Sequence, residues 1–547
     1  MSPHAAHRFL SGETSADRLA DPGHPLQGLS RFPAIVFAGA FVFLYLLHLP
    51  LLQLPYFWDE AGYYIPAARD IFLSGSLIPH ATVSNAHPPL VMAWLALWWK
   101  LFGYAPLVTR TAMLVIAAFS LVGVFRLAEA IASTEIGVAS ALCTGLYPVF
   151  FAQSSLAHVD LAAAGFTFWA LSAFVERRFS RAAIFFSLAA LAKETAILAP
   201  LALALWDFAR TFAPRTWRAL LWEEGEDRNL STSHKPRGKR LLWLLFPMVP
   251  LAAWYAYHYS RTGYVFGNPE FFRYNVAGTL NPVRFLLALA LRLWQVLGYL
   301  HLWILTGATF AAMRFLRPAR SGFTDRPRIP LPLQMYLYVV ITAYVLSMAL
   351  IGGAVLARYM LPAVPLVILL CVGTFWRRVR FWRLAIAGVA LAFIAAWFWY
   401  PHYGFSPEDN LAYRDYILLH EDGERFLEAR YPMARVLTAW PASDELARPW
   451  LGYNTRPMQV VRIEDFSLPE MKAAERRAVF EVALVFSTKY EPGPAPWDRW
   501  TIWNKWKSRF FGFHRDLPPA AAAQLLGGHI VFSEQRQGQW IAVIEER

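Results

Sequence analysis

The sequence predicts a polytopic α-helical membrane protein that ends in a small α/β domain. Three observations lead there. Of 547 residues, 57% are hydrophobic and only 16% are charged, a balance far from that of soluble globular domains. The apolar residues gather into about eleven runs near the ~17–25 residues that cross a bilayer. The basic residues fall in short clusters between these runs, alternating with loops that lack them, as the positive-inside rule asks.

A polar stretch, 1–32, precedes the first run and reads as a cytoplasmic tail. The run at 33–54 reads as an uncleaved first span, since no small-residue cleavage site follows it. Further spans are expected at 107–131, 136–153, 161–175, 182–191, 195–208, 241–258, 297–315, 333–351, 356–376 and 384–399. The stretch 88–102 is too short to cross comfortably. It carries Trp94, Trp98, Trp99 and Lys100, so it is expected to lie in the interface. A helix starting at Glu60 and stopping near Gly75, apolar along Tyr63, Tyr64, Ala67, Ala68, Ile71 and Phe72, is expected to lie flat beside it. With the N-terminus inside, Arg126, the Arg177–Arg181 cluster, the polar loop 210–240, the 314–328 cluster and the Arg377–Arg383 cluster all face the cytoplasm. Counting 88–102 as a span would invert every later cluster.

After Tyr400 the composition changes. Residues 401–547 mix a helix-like stretch, "DYILLHEDGERFLEARYP", with the β-rich runs "ARVLTAWP", "EVALVFST", "HIVFSE" and "WIAVIEER". They read as an extracytoplasmic α/β domain. The expected organisation is therefore a tail at 1–32, a transmembrane domain at 33–400 and an outer domain at 401–547. The net charge of +13 belongs to loops beside anionic lipid, which points away from nucleic acid. Cys143 and Cys371 lie inside apolar runs, so neither a disulfide framework nor a thiol metal cluster is expected.

On this topology several ionisable residues near span ends meet on the outer side. "FWDEAGYY" brings Asp59 and Glu60, "NAHPPL" brings His87, "SLAHVDL" brings Asp160, "AKETA" brings Lys193 and Glu194, and "LARYMLPAVP" brings Arg358. Asp59 has two compatible readings, the N-cap of the following helix and a rigidly held catalytic base. Asp160 has the same pair of readings. His158 alone reads as a hydrogen-bonded loop residue. Lys193 interrupts an apolar stretch, where a lysine meets an anion; snorkelling to headgroups is the bland alternative for it and for Arg358. Two cations and two acids around one outer cavity suit a substrate with a phosphate and a nearby hydroxyl.

The order "WDEAGYY", "HPPL", "HVDLAAAGFTFWAL", "LAKETAIL" and "ARYMLPAVP" resembles the membrane glycosyltransferases of the C-type fold. It is most similar to the protein O-mannosyltransferase and lipid A aminoarabinose transferase group. The resemblance covers roughly residues 33 to 399. It implies a polyprenyl-monophosphate sugar as donor, with transfer to an acceptor hydroxyl on a lipid, protein or glycan. It further implies an integral protein of a bacterial inner membrane, N-terminus cytoplasmic and C-terminus outside. Asp59 then matches the first-loop catalytic acid, with Glu60 beside it, and Asp160 the acid of the second outer loop. Lys193 resembles the lysine near the donor phosphate, and Arg358 and Tyr359 fall on the cavity element. His87 stands where the aminoarabinose transferases carry a lysine, so the acceptor site is expected to differ.

The chemistry agrees: a carboxylate takes the acceptor proton, cations stabilise the leaving phosphate, and direct displacement inverts the anomeric centre. No cofactor and no metal is required in principle. A transporter is the rival from another class, but it calls for midplane charges and internal repeats. A lipid-linked polymer ligase is the closer rival, since it shares the chemistry.

Overall fold

The computed structural model describes residues 33–222, 237–265, 267, 281–321, 324–351, 353–477, 479–490 and 496–546. The expected tail, the middle of the polar loop 210–240 and most of "YVFGNPEFFRYN" lie outside the described residues.

The first half of the chain is helical. α1 (Pro33–His48), α2 (Ile65–Ser74), α3 (Leu90–Phe102), α4 (Pro106–Ile131), α5 (Thr134–Leu146), α6 (Pro148–Gln153), α7 (Asp160–Val175), α8 (Phe179–Ala192) and α9 (Leu198–Phe212) follow in order. α4 is the axis of the bundle. It is 26 residues long, about 39 Å at 1.5 Å per residue, and packs on α1, α5 and α7. Small residues allow the close approaches. A Cβ on Gly165 of α7 would lie 2.1 Å from Ser120 Oγ of α4, so any larger residue there would push the two helices apart.

Six helical stretches are long and apolar enough to cross a membrane: Pro33–Leu51, Pro106–Ile131, Glu194–Phe212, Gly238–Thr262, Pro282–Phe315 and Leu331–Leu350. Leu90–Phe102, Thr134–Leu146, Asp160–Val175, Phe179–Ala192 and Trp382–Trp397 are apolar but shorter. Six full-length candidates and five shorter apolar helices thus stand among the described residues, where about eleven spans are expected. Proline and loop breaks interrupt some of the apolar runs. The apolar run 136–153 is interrupted at Tyr147, whose ψ of 128° ends α5 just before Pro148 starts α6. The stretch Pro282–Phe315 is bent at Leu300 (φ 44, ψ 59) into Pro282–Leu297 and Leu302–Phe315. Its first helix was absent from the expected spans, because Arg284 and Arg292 dilute its hydropathy. Both are buried, and their guanidinium groups donate to backbone carbonyls between Ile351 and Leu356.

The first long loop behaves as its pattern asks. Glu60–Tyr64 forms a π-turn that continues into α2, and α2 ends at Gly75 in the left-handed conformation (φ 74), where glycine carries no Cβ penalty. α3 has 13 residues, about 20 Å, which is short of a bilayer core.

Beyond Trp397 the chain builds a five-stranded sheet in the order β4-β3-β5-β7-β6, from β3 (Arg435–Ala439), β4 (Gln459–Ile463), β5 (Val482–Phe486), β6 (His529–Arg536) and β7 (Gln539–Glu545). β1 (Arg320–Ser321) and β2 (Thr324–Asp325) form a separate two-residue ladder. β3 is parallel to β4 and β5, while β7 is antiparallel to β5 and β6. β5 reads VALVF and is buried along its whole length, as a central strand covered on both faces should be. β4, "QVVRI", is the one strand of the five-stranded sheet whose weaker run was not read from the sequence. The helix Ala412–Arg430 packs on β6 and β7. The sheet unit also presses on the first loop. A Cβ on Gly62 would come within 2.6 Å of Trp440 Cζ2, and Trp58 meets Trp440 edge-on at 4.9 Å.

Candidate active site

Five chain segments end at one place, each just outside a helix. These are the turn after α1, the loop before α7, the break between α8 and α9, the short helix Ala357–Met360, and the short helix Pro407–Asp409. Charged residues at these apolar helix ends pair with one another rather than face hydrocarbon.

Arg358 is the hub. It is 1% exposed. Its Nη2 donates to Asp59 Oδ2, and its Nη1 donates to Glu408 Oε2 at 2.7 Å. Nη1 also lies 2.9 Å from His158 Nδ1. Nε approaches Asp160 Oδ2 at 3.5 Å, an ion-pair distance without a hydrogen bond. Glu408, Asp59 and Asp160 surround the guanidinium with carboxyl groups. Lys193 Nζ donates to Asp160 Oδ1 at 2.5 Å and sits 3.9 Å from the centre of the Tyr359 ring.

Burial sets the protonation of the neighbours. Glu408 is pushed up to about 8, chiefly by desolvation, with Arg358 pulling the other way. Asp409, whose carboxylate accepts from Tyr299 Oη at 2.6 Å, is pushed up to about 7 for the same reason. His158 is held well below its usual range by burial and by Arg358, so its ring is neutral. The cluster thus brings two basic side chains, Arg358 and Lys193, against the carboxyl groups of Asp59 and Asp160. Asp59 is the accessible one, with 21% of its side chain exposed against 3% for Asp160 and Glu408.

The structure separates the sequence-selected residues into groups. Asp59, Asp160, Lys193, Arg358 and Tyr359 come together. Neither acid caps its helix: the Asp59 side chain makes no cap hydrogen bond, and Asp160 is the first residue of α7 rather than its cap. The capping reading is therefore corrected, since Arg358 and Lys193 outcompete the backbone N–H groups for these carboxylates. Trp58, just before Asp59, has φ 44, an unfavourable conformation for a bulky residue. It is held by Tyr416 and Trp440 and fixes where Asp59 points.

Glu60 turns away. It is fully buried, accepts from Arg110 and from the Phe57 and Ala157 amides, and so ties the first loop to the loop before α7. Arg110 completes the tie to Ser155 and Pro55 carbonyls. His87 pairs with Glu194 at 2.7 Å and stacks near Tyr64, whose other neighbour is His158. Glu408, Asp409 and Arg110 were missed by sequence reasoning. "SPEDN" follows the last apolar run as "WDEAG" follows the first, a signal of the same kind.

An apolar cavity of about 720 Å³ opens among the helices Pro282–Leu297, Leu302–Phe315, Leu331–Leu350 and Val364–Arg378. Arg377 and Arg378 line it. They end the helix that begins beside Arg358, so this cavity belongs to the opposite end of the bundle.

Six full-length apolar helices and a charged cluster at one end of the bundle define an integral membrane protein with the C-type glycosyltransferase fold. The fold matches the apo crystal structure of ArnT from Cupriavidus metallidurans at a TM-score of 0.54 and 12% identity, over 94% of this chain and 98% of that one. The same protein bound to undecaprenyl phosphate gives 0.49 at 14% identity, over 93% and 97%. The oligosaccharyltransferase AglB from Archaeoglobus fulgidus, with an inhibitory peptide and a dolichol-phosphate, gives 0.47 at 12% identity, over 94% and 74%. No family model and no curated protein sequence matches the chain.

Proposed function

We propose that this chain transfers a sugar from a polyprenyl-monophosphate donor to an acceptor hydroxyl, with inversion, on the outer face of a bacterial inner membrane. The observation that carries the reading is the accessible carboxylate of Asp59 against the buried guanidinium of Arg358, with Lys193 and Asp160 behind. A hydroxyl becomes a competent nucleophile when a carboxylate in reach takes its proton. The departing phosphate is stabilised by cations already in position.

In the proposed step the donor phosphate takes hydrogen bonds from Arg358 and Lys193 and frees Asp59 from its ion pair. Asp59 accepts the acceptor proton. The acceptor oxygen bonds to the anomeric carbon as the bond from that carbon to the phosphate oxygen breaks. The products are a glycoside and a polyprenyl monophosphate. Asp160 holds Lys193, and Glu408, whose pKa burial raises, positions Arg358. Tyr359 walls the Lys193 side. His87 and Glu194 are assigned to the acceptor side. Glu60 is assigned to the frame around the site. The proposed step passes through no metal.

The reading also takes 1–32 as a cytoplasmic tail, 33–400 as the catalytic membrane domain and 401–547 as an outer domain. The experiment is direct. Purified protein is incubated with labelled polyprenyl-phosphate sugars and membrane extract, and the labelled product is identified. Release of free sugar only, or retention of all label in the donor, overturns the proposal. Transfer of an oligosaccharide in place of one sugar would favour the ligase reading.

A further inference from the structure

Away from the Arg358 cluster, three residues of the sheet unit converge in its dry interior. His420 and Glu424 stand one turn apart on the helix Ala412–Arg430, and Glu445 faces them from the helix Ala442–Ala447. They are 1%, 0% and 0% exposed. Each offers a ligand atom, and these atoms lie within 4.8 Å of one another. The imidazole is fixed: Nδ1 lies 2.6 Å from Glu445 Oε2, and the ring sits between Tyr416 at 4.1 Å and Phe486 at 4.6 Å.

The charges are not balanced by protein. His420 Nε2, both Glu424 carboxylate oxygens and Glu445 Oε1 are buried and lack a hydrogen-bond partner. The largest charged influences on Glu424 are acids, Glu445, Glu421 and Glu428, and Glu445 lies in hydrogen-bond reach of it. Among the described residues, no lysine or arginine forms an ion pair with Glu424 or Glu445. A proton shared between the two carboxyls satisfies two oxygens and leaves the rest bare. Buried, unsatisfied acceptors of this kind are costly, whereas one divalent cation satisfies them together.

We propose that His420, Glu424 and Glu445 bind a divalent metal ion, with Zn²⁺ the best match. One imidazole nitrogen and two carboxylate oxygens form a hard-to-borderline N/O set that suits it. Ligand atoms around tetrahedral zinc stand roughly 3.4 Å apart, given zinc–ligand distances of about 2.0–2.2 Å, a spacing inside the 4.8 Å limit that holds these three. Asn454 donates to the Glu445 and Leu446 carbonyls. A water completes the coordination.

The ion acts as a brace. The helix Ala412–Arg430 carries Tyr413 and Tyr416, which pack on Phe57 and Trp58. The helix Ala442–Ala447 follows Trp440, which packs on Trp58 and against Gly62. Binding them together stiffens the surface that holds Asp59. This inference does not depend on the proposed transferase reaction.

The test uses the full-length protein in detergent, loaded with Zn²⁺ and dialysed, with metal content measured by mass spectrometry. Wild type is expected to retain about one zinc per chain and Glu424→Gln almost none. EDTA should lower the unfolding temperature of wild type and leave Glu424→Gln unchanged. If Glu424→Gln does not fold, Glu424→Asp replaces it, with zinc binding expected to weaken by about tenfold or more. The proposal is overturned if wild type retains no zinc after loading, or if the Glu424 variant keeps the full complement. It is equally overturned if wild type ignores EDTA while Glu424→Gln melts higher, the behaviour of two carboxyls that merely share a proton.

Discussion

Arg358 Nη1 donates to Glu408 Oε2 at 2.7 Å, joining residues 50 positions apart across the two helices Val364–Arg378 and Trp382–Trp397. The contact places an acid from beyond the last apolar helix behind the guanidinium whose other face meets Asp59. Glu408 thereby couples the membrane bundle to the sheet unit.

The Asp59 carboxylate is expected to be the base. Asp59→Asn should fold and bind donor yet lose transfer by about a hundredfold or more, the usual scale for removing a general base. The check is a rate measured at saturating donor and acceptor. Retention within a few-fold of wild type would leave Asp59 only as the Arg358 counterion.

Glu60 is expected to govern stability. It and Arg110 are a fully buried pair, and breaking such a pair costs about 3–5 kcal/mol. Glu60→Ala should therefore unfold at markedly lower temperature in detergent. Paired replacement, Glu60→Gln with Arg110→Met, should recover part of the loss. A Glu60→Ala protein with wild-type stability and no activity would instead put Glu60 in the reaction.

Donor binding should depend on both cations. Lys193→Ala removes one charge-assisted contact to phosphate, worth about 1.5–3 kcal/mol, and should weaken donor binding accordingly. Arg358→Ala leaves three acids facing each other, so the informative variant is Arg358→Ala with Glu408→Gln. Unchanged affinity for polyprenyl phosphate in both variants would move the phosphate elsewhere.

Stability should depend on pH through Glu408 and Asp409. Their ordinary values are 4.5 and 3.8, and burial raises them to about 8 and about 7. Between those limits the folded chain holds more protons than the unfolded chain, so stability falls as pH rises. The decline should begin above the ordinary carboxylate range and level off above about pH 8. Glu408→Gln should flatten the upper part of the curve. Thermal unfolding at constant ionic strength from acid to mildly basic pH checks the sign; stability that rises over this window contradicts it.

Topology is checked by reporters. A fusion after Trp399 should be outside and one within 210–240 inside. A cytoplasmic signal at the first position would put the Arg358 cluster on the wrong face for the proposed donor.

Hydropathy and charge were enough to determine the helical membrane class, the two helices of the first loop and the change of character after Tyr400, because these follow from local composition and period. The acids at Asp59 and Asp160 and the cations at Lys193 and Arg358 were legible for the same reason: a charge at an apolar helix end is conspicuous in one dimension. Which charge meets which was not. Asp59 and Glu60 are neighbours in sequence, yet one faces Arg358 and the other Arg110, since consecutive residues on a helical turn point about 100° apart. Lys193 and Glu194 diverge as well, to Asp160 and His87, because Lys193 sits in extended backbone between two helices. Glu408 and the His420–Glu424–Glu445 group emerged only in three dimensions, because their partners lie on other elements. Only packing brings those elements together, and by excluding water it gives the buried charges the strength that sequence alone cannot register.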